Sequence, residues 1–151
     1  MRVVVQRVAR ASVSVDGEVV SSIGPGLCLL VGIEADDGPT EVAAAVDKVV
    51  GLRVFSDDAG RMNLSIGDVG GEMLVVSQFT LLGDTRRGRR PSFTAAAPPE
   101  HAEPLVASMA SAFEDIGVTT RTGVFGASMS VELVNDGPVT LVLEVSAGKV
   151  R

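Results

Sequence analysis

"SVSVDGEVVSSIGPGLCLLVGI", residues 12–33, contains the pattern that decides the fold class. Alternating Ser and Val predict a strand with one buried face, and Asp16-Gly17 between two such runs is a strong signal for a two-residue hairpin. The Gly-Pro-Gly at 24–26 predicts a second turn, and the apolar run that follows is typical of a strand covered on both faces. With further strands expected at 2–8 and 11–15, this part of the chain predicts an antiparallel meander.

Two later segments change from the period of a strand to that of a helix. Thr40 is expected to cap the first helix and Gly51 to end it. The second helix is predicted between the prolines at 98–99 and Gly117. Further strands are expected at 71–81 and on both sides of 135–138. We therefore predict one α+β domain over residues 1–151, with a mostly antiparallel, barrel-like sheet and two helices packed on it.

The chain has 151 residues and a formal net charge of −6, which argues against uniform attraction to nucleic acid. Charged residues at 2 and 7 interrupt the apolar start, so neither a signal peptide nor a membrane span is expected, and a cytoplasmic location is. The single cysteine, Cys28, is expected to be a small buried apolar residue rather than a reactive thiol.

Several common chemistries lack the residues they require. The only histidine, His101, lies among prolines at the start of the second predicted helix, which makes a Ser-His-Asp or Cys-His arrangement improbable. A zinc site has almost no ligands, and the paired aspartates at 36–37 and 57–58 are typical of solvated turns. The Gly-x-Gly at 24–26 precedes a strand rather than a helix, and "GDTRRGRR" lacks the end of a P-loop. We therefore expect no metal and no cofactor.

Three segments remain as candidates for function. Ser77-Gln78-Phe79-Thr80 ends a buried strand, where the amides of Phe79 and Thr80 are placed to donate hydrogen bonds to a developing oxyanion. Thr80 is also a candidate nucleophile, but the sequence offers no neighbouring base. Gly137-Pro138 is ordinarily a turn, and the residues alone do not indicate a cis bond. The third segment is a basic patch or a solvated loop that contains Arg86, Arg87, Arg89 and Arg90.

Three motifs together resemble the signatures of the D-aminoacyl-tRNA deacylase family. They are "SQFTL" at 77–81, "DTRRGRRPSF" at 84–93 and "NDGPVT" at 135–140. Shorter matches extend the resemblance along nearly the whole chain, except the tail after Val145. It implies a homodimer that hydrolyses the ester between a D-amino acid and the terminal adenosine of tRNA, with active sites at the subunit interface.

The resemblance also implies roles for individual residues. Ser77, Gln78, Phe79 and Thr80 would line the pocket, and Gly137-Pro138 would be a Gly-cis-Pro motif that one subunit inserts into the other's site. Its carbonyl oxygens would exclude an L side chain, whereas glycine would not be rejected. The four arginines at 86, 87, 89 and 90 would bind tRNA phosphates, and Arg7 with Phe125 or Met129 would hold the terminal adenosine. The alternatives are a noncatalytic RNA-binding dimer and a purely structural dimer.

Overall fold

A long strand, β1, is the centre of the sheet in the computed structural model, which describes residues 1–151. β1 (Arg2–Val15) pairs antiparallel with β3 (Gly26–Gly32) through its first half and with β2 (Glu18–Ile23) through its second half. On its other edge it pairs with β8 (Ser130–Ser146) along nearly its whole length. The hairpin predicted at Asp16-Gly17 is therefore confirmed, but the meander is not, because β3 pairs with β1 rather than with β2.

The remaining strands extend this sheet to seven and curl it into a half-barrel. β6 (Glu72–Ser77) runs parallel to β3, β7 (Thr120–Thr122) runs parallel to β6, and β9 (Lys149–Val150) pairs with the end of β8. The strand order is β7-β6-β3-β1-β8-β9, with β2 beside β1. A separate small hairpin joins β4 (Phe55–Ser56) to β5 (Met62–Leu64).

Two helices cover one face of the sheet, as predicted. They are α1 (Pro39–Gly51) and α2 (Pro99–Asp115), and both bury an apolar stripe in a core that includes Met109 and Phe113, each 0% exposed. The expected N-cap at Thr40 is wrong. α1 is instead capped at Gly38, whose N–H donates to the Glu41 carboxylate at 2.9 Å, because Pro39 begins the helix two residues earlier than expected.

Three predicted strand boundaries also need correction. The strands expected at 2–8 and 11–15 are one strand, because β8 supplies hydrogen-bond partners through residues 8–11. The strand expected at 71–81 stops at Ser77, after which Phe79–Leu82 form a 3-10 turn. The two strands expected around residues 135–138 are a single strand, β8, with a bulge at that point.

Cys28 is fully buried in a small cluster on the other face of the sheet. Burial raises the pKa of its thiol to about 11, so the thiolate is scarce at neutral pH and the expectation of an unreactive cysteine is confirmed. Neither helix has the length and apolarity that crossing a bilayer requires.

Candidate active site

The Ser77–Thr80 segment changes from strand to 3-10 turn within four residues. The N–H of Gln78 donates to the Val31 carbonyl at 2.7 Å, as the last bond between β6 and β3. Gly32 permits the close approach, because a Cβ there would lie 3.1 Å from the Gln78 carbonyl oxygen. The N–H groups of Phe79 and Thr80 begin the 3-10 turn and donate to no acceptor in the chain. Two adjacent donors are thus available at the end of a rigid strand.

The hydroxyl group of Thr80 is held by an amide rather than by a base. Gln78 Nε2 donates to Thr80 Oγ1 at 2.7 Å. The only imidazole in the chain makes no hydrogen bond to Thr80, since His101 Nε2 bonds with the Asp37 carbonyl at 2.7 Å. No group of this chain therefore activates Thr80 as a nucleophile.

A cavity of about 520 Å³ opens beside these donors. Its lining includes Ser77, Gln78, Phe79 and Thr80 along one side and Phe125 and Met129 from the segment between β7 and β8. Gly123 allows that segment to fold closely, because a Cβ there would lie 2.7 Å from Met129 Sδ. Six of the residues selected from the sequence therefore surround one largely apolar cavity.

Gly137 and Pro138 lie elsewhere, in the bulge of β8. Gln6 pairs with Thr140 and Val8 pairs with Asn135, so residues 136–139 stand opposite Arg7 alone. The Gly137-Pro138 peptide bond is cis, which confirms what the resemblance implied. Neither residue lines the cavity of its own chain.

Asn135 and Arg7 hold this bulge from beneath. The Asn135 side chain accepts from the Val139 N–H at 2.7 Å and donates to the Val139 carbonyl at 3.2 Å. Arg7 is 8% exposed, and its Nε donates to the Asp136 carbonyl at 2.9 Å while Nη1 donates to the Val54 carbonyl. Arg7 does not line the cavity of its own chain, because its guanidinium is buried under the loop, and its assignment to the adenosine stays a prediction.

The arginine loop projects from the rim of the cavity. A two-residue bridge between Asp84 and Ser92, with N–O distances of 2.7 and 2.9 Å, closes its base. Arg86 is paired with Asp84 through two side-chain bonds of 2.9 and 2.7 Å, and this pairing holds the pKa of Asp84 below its ordinary value. Arg87, Arg89 and Arg90 are exposed and have no acidic partner in the chain.

Comparison with known proteins agrees with this geometry. The family model for D-Tyr-tRNA(Tyr) deacylase matches residues 4–144. The chain belongs to that family. A D-aminoacyl-tRNA deacylase of Carboxydothermus hydrogenoformans is 54% identical over 145 residues, with 96% of this chain and 100% of that protein covered. One from Thermomicrobium roseum is 57% identical over 144 residues, with coverage of 95% and 94%.

Solved structures show the same fold. A c-Myc DNA unwinding element binding protein has a TM-score of 0.91 at 43% identity, with 97% of this chain and 100% of that one covered. A probable eukaryotic D-amino acid tRNA deacylase has a TM-score of 0.79 at 18% identity, with 93% and 97% covered, and shows the fold alone. The predicted α+β architecture of this deacylase-family chain is thus confirmed.

Two residues that were not selected from the sequence have a clear place in the structure, Asn135 in the bulge of β8 and Phe93 in the lining of the cavity. Asn135 opens an Asn-Asp-Gly-Pro turn, and an Asn in that position commonly bonds to the backbone of its own turn. Phe93 lines the cavity and contacts Phe79. Its signal was an aromatic residue directly after a basic run in a chain with only 3% aromatic residues.

Proposed function

We propose that this chain hydrolyses the ester bond of D-aminoacyl-tRNA, releasing the free D-amino acid and the tRNA. The observation that carries the proposal is the pair of unpaired N–H groups of Phe79 and Thr80, which lies beside the cavity in a chain of this deacylase family. Such donors stabilise the oxyanion that forms when water attacks an ester carbonyl, and one donor contributes roughly 3 kcal/mol.

The reaction needs little further help from side chains. An aminoacyl ester is already reactive, and the vicinal 2′-hydroxyl group of the terminal ribose is available to orient or deprotonate the attacking water. In this mechanism Thr80 Oγ1 accepts a bond from Gln78 and shapes the pocket, while the backbone amides of Phe79 and Thr80 perform the stabilisation. The proposal therefore needs no general base, which is consistent with His101 being bonded to the Asp37 carbonyl rather than to Thr80.

Chiral selection is assigned to the Gly137-Pro138 loop of a second subunit. Val131 and Val142 on β8 are 36% and 58% exposed, and the outer edge of that strand has no partner in the chain before Val145. A free strand edge of this length favours pairing with another chain, which supports a homodimer. Two carbonyl oxygens from the partner's loop would then stand beside the substrate's α-carbon and leave no space for an L side chain.

This selection acts by exclusion, so it has a consequence for glycine. Glycine has no side chain to clash, and the filter cannot reject it. We therefore propose that the protein also cleaves glycine mischarged on tRNA(Ala), and that many D-aminoacyl groups are accepted. Purified protein that leaves glycyl-tRNA intact at high enzyme concentration would contradict this extension without contradicting cleavage of D-aminoacyl-tRNA.

The tRNA is proposed to bind across the cavity and the arginine loop, in the cytoplasm. Phe125 and Met129 line the cavity and are assigned to the terminal adenosine. Arg87, Arg89 and Arg90 are assigned to phosphates, because their charges have no acidic partner in the chain. Arg86 contributes less to phosphate binding, since Asp84 already neutralises its charge. Arg7 acts on the substrate indirectly, by holding the Gly137 loop above it.

The test measures deacylation of matched D-, L- and glycyl-tRNA by wild type and by Thr80→Ala. If the backbone donors carry the reaction, Thr80→Ala retains most of the activity on D-aminoacyl-tRNA. A loss above about 10³-fold, larger than removal of one oxyanion donor, would instead restore Thr80 as nucleophile. Thr119→Ala, an exposed threonine before β7, is the matched control.

Two further results separate this proposal from its rivals. A noncatalytic RNA-binding dimer or a structural dimer would release no D-tyrosine from charged tRNA. A substrate that ends in 2′-deoxyadenosine should be cleaved far more slowly, because the 2′-hydroxyl group is absent. Equal rates on the ribose and deoxyribose substrates would show that the 2′-hydroxyl group takes no part in the reaction.

A further inference from the structure

Two phenylalanines form an exposed aromatic surface at the mouth of the cavity. The rings of Phe79 and Phe93 meet edge to face, with centroids 5.1 Å apart and planes at 76°. Phe79 is 54% exposed and Phe93 is 36% exposed, although both line the cavity. A chain with only five phenylalanines and no Trp or Tyr thus exposes two of its large rings at one place. Exposed apolar surface that is contiguous with a cavity marks a candidate binding site.

The charge around this pair indicates the class of partner. Phe93 directly follows the arginine loop, whose base is the Asp84–Ser92 bridge. Arg87, Arg89 and Arg90 lie in that loop without an acidic partner, in a chain that is otherwise strongly acidic. Aromatic rings beside unpaired arginines are what single-stranded nucleic acid requires, because bases stack on the rings while the arginines contact the phosphates.

We infer that Phe93, in edge-to-face contact with Phe79, is a stacking platform for the unpaired nucleotide that precedes the terminal adenosine of the substrate. The inference rests on the proposed function and extends its binding site outside the cavity. The terminal adenosine is assigned to Phe125 and Met129, so the preceding base must leave the cavity past its rim. Phe93 lies at that rim, and the phosphate between the two nucleotides would pass under the arginine loop.

The site around Gly83 fixes the ring of Phe93 in place. A Cβ on Gly83 would lie 3.0 Å from Phe93 Cε1, so the absence of a side chain at Gly83 lets the ring pack close to the backbone. The ring also contacts Phe79, edge to face. A ring fixed in this way loses little conformational entropy when a base stacks on it.

The experiment is a double-mutant cycle between the protein and the RNA. Wild type and Phe93→Leu are each assayed on a D-aminoacylated acceptor-end RNA with a normal or an abasic residue before the terminal adenosine. On the normal RNA, Phe93→Leu should lower kcat/KM about 10-fold, the size expected for loss of one base–aromatic stack. The abasic residue should lower wild-type kcat/KM by a similar factor and should add no further loss in Phe93→Leu.

Phe93→Tyr is the conservative variant and should retain the wild-type dependence on the base, because it keeps the ring. If the losses in kcat/KM from Phe93→Leu and from the abasic residue multiply when the two are combined, the base does not stack on Phe93 and the inference is wrong. The same conclusion follows if the wild type cleaves normal and abasic RNA equally, a result that needs no folded variant. If Phe93→Leu changes the oligomeric state, measured by light scattering, the platform is part of a subunit interface and the inference is again overturned.

Absence of any cleavage by the wild type would contradict the proposed function itself. Cleavage of the normal RNA without coupling would contradict only the stacking platform. The two failures are therefore distinguishable in one set of assays.

Discussion

The arginine beneath the Gly137 loop and the arginines at the cavity rim have opposite environments. Arg7 is buried, and backbone carbonyls of Val54 and Asp136 accept its hydrogen bonds. Arg89 and Arg90 are exposed and have no acidic partner in the chain. A buried, satisfied guanidinium fixes a backbone conformation, whereas exposed, unpaired ones remain free to bind an anion. The same residue type therefore serves structure in one region and, in our proposal, RNA recognition in the other.

Removing Arg7 should have the largest effect. Arg7→Met leaves two carbonyl groups without their donor, and bonds from a charged group contribute about 1.5–3 kcal/mol each. The Gly137 loop would then lose its support, and a displacement near 1 Å typically lowers activity about 100-fold. We expect a lower Tm in thermal unfolding and a much lower kcat on D-aminoacyl-tRNA.

The salt dependence of tRNA binding distinguishes the two regions in this variant. Because Arg7 is proposed to act through the loop rather than on phosphate, Arg7→Met should leave the slope of log K against log salt unchanged. A flatter slope would mean that Arg7 itself contacts the RNA, and the contrast between the two regions would fail. Arg7→Lys should not restore the wild type, because an ammonium group cannot replace the planar fork.

Gly137→Ala should have the second largest effect. Gly137 has a φ of +138°, and a Cβ there would lie 2.8 Å from Val139 Cγ2 and 3.0 Å from Arg7 Nη2. Alanine at such a φ is strained, and the contact would push the guanidinium away from its acceptors. We expect destabilisation by more than about 1 kcal/mol in urea unfolding. Gly88→Ala, also at positive φ but with no atom within 4 Å, is the matched control for backbone strain alone.

The sequence predicts the secondary structure and the buried faces of its elements well, and it predicts the hydrogen-bond partners of polar side chains poorly. The hairpin at Asp16-Gly17 and the buried stripe of α1 follow from local periodicity, which does not depend on distant residues. The role of Arg7 depends on a bulge in β8, more than 100 residues away, so no local pattern revealed its partners. One signal was present, because Arg7 shares the inward register of Val3 and Val5 in β1, and both are buried.

At the candidate site, too, the sequence predicts which residues matter but not the local backbone structure. The motif at 77–80 was recognised, but its 3-10 turn was expected to continue as strand, since apolar residues extend through Leu82. The pairing of β6 with β3 ends after the bond from Gln78 to Val31, and the 3-10 turn begins at the next residue. Likewise, nothing in the sequence alone distinguished Arg86 from its neighbours, although Asp84 two residues earlier is a nearby acid.

At the exposed region, single arginine substitutions should act on binding rather than on folding. Arg89→Ala should weaken tRNA binding and reduce the salt slope by about 0.7, the value for one contact with a single strand. Its Tm should equal that of the wild type, because the side chain has no partner to lose. Arg86→Ala is the control within the same loop and should change the slope less. Equal effects of the two variants would show that the Asp84 pair does not persist in the complex.

The contrast between a buried and an exposed charged group also applies to the carboxylates of Glu41 and Asp84. Glu41 is 8% exposed and accepts hydrogen bonds from the N–H groups of Gly38 and Gly148, both at 2.9 Å, which lower its pKa below the ordinary value. A lowered folded-state pKa contributes stability above the unfolded value of about 4.3 and loses it as pH falls through the folded value. Glu41→Gln should therefore lower Tm at pH 7, and the difference from wild type should shrink in acid. A constant difference across that range would assign the effect to packing.

Asp84→Asn should have the smallest effect on stability and a measurable effect on binding. The bonds from Arg86, first through its side chain and then through its backbone N–H, lower the pKa of Asp84, but the pair is exposed and solvent screens it. Stability should therefore hardly change with pH. Neutralising Asp84 also frees Arg86, so the variant should bind tRNA slightly more tightly, with a salt slope steeper by up to about 0.7. An unchanged slope would mean that Arg86 points away from the RNA even when it is free, and would restrict the phosphate contacts to the three arginines beyond it.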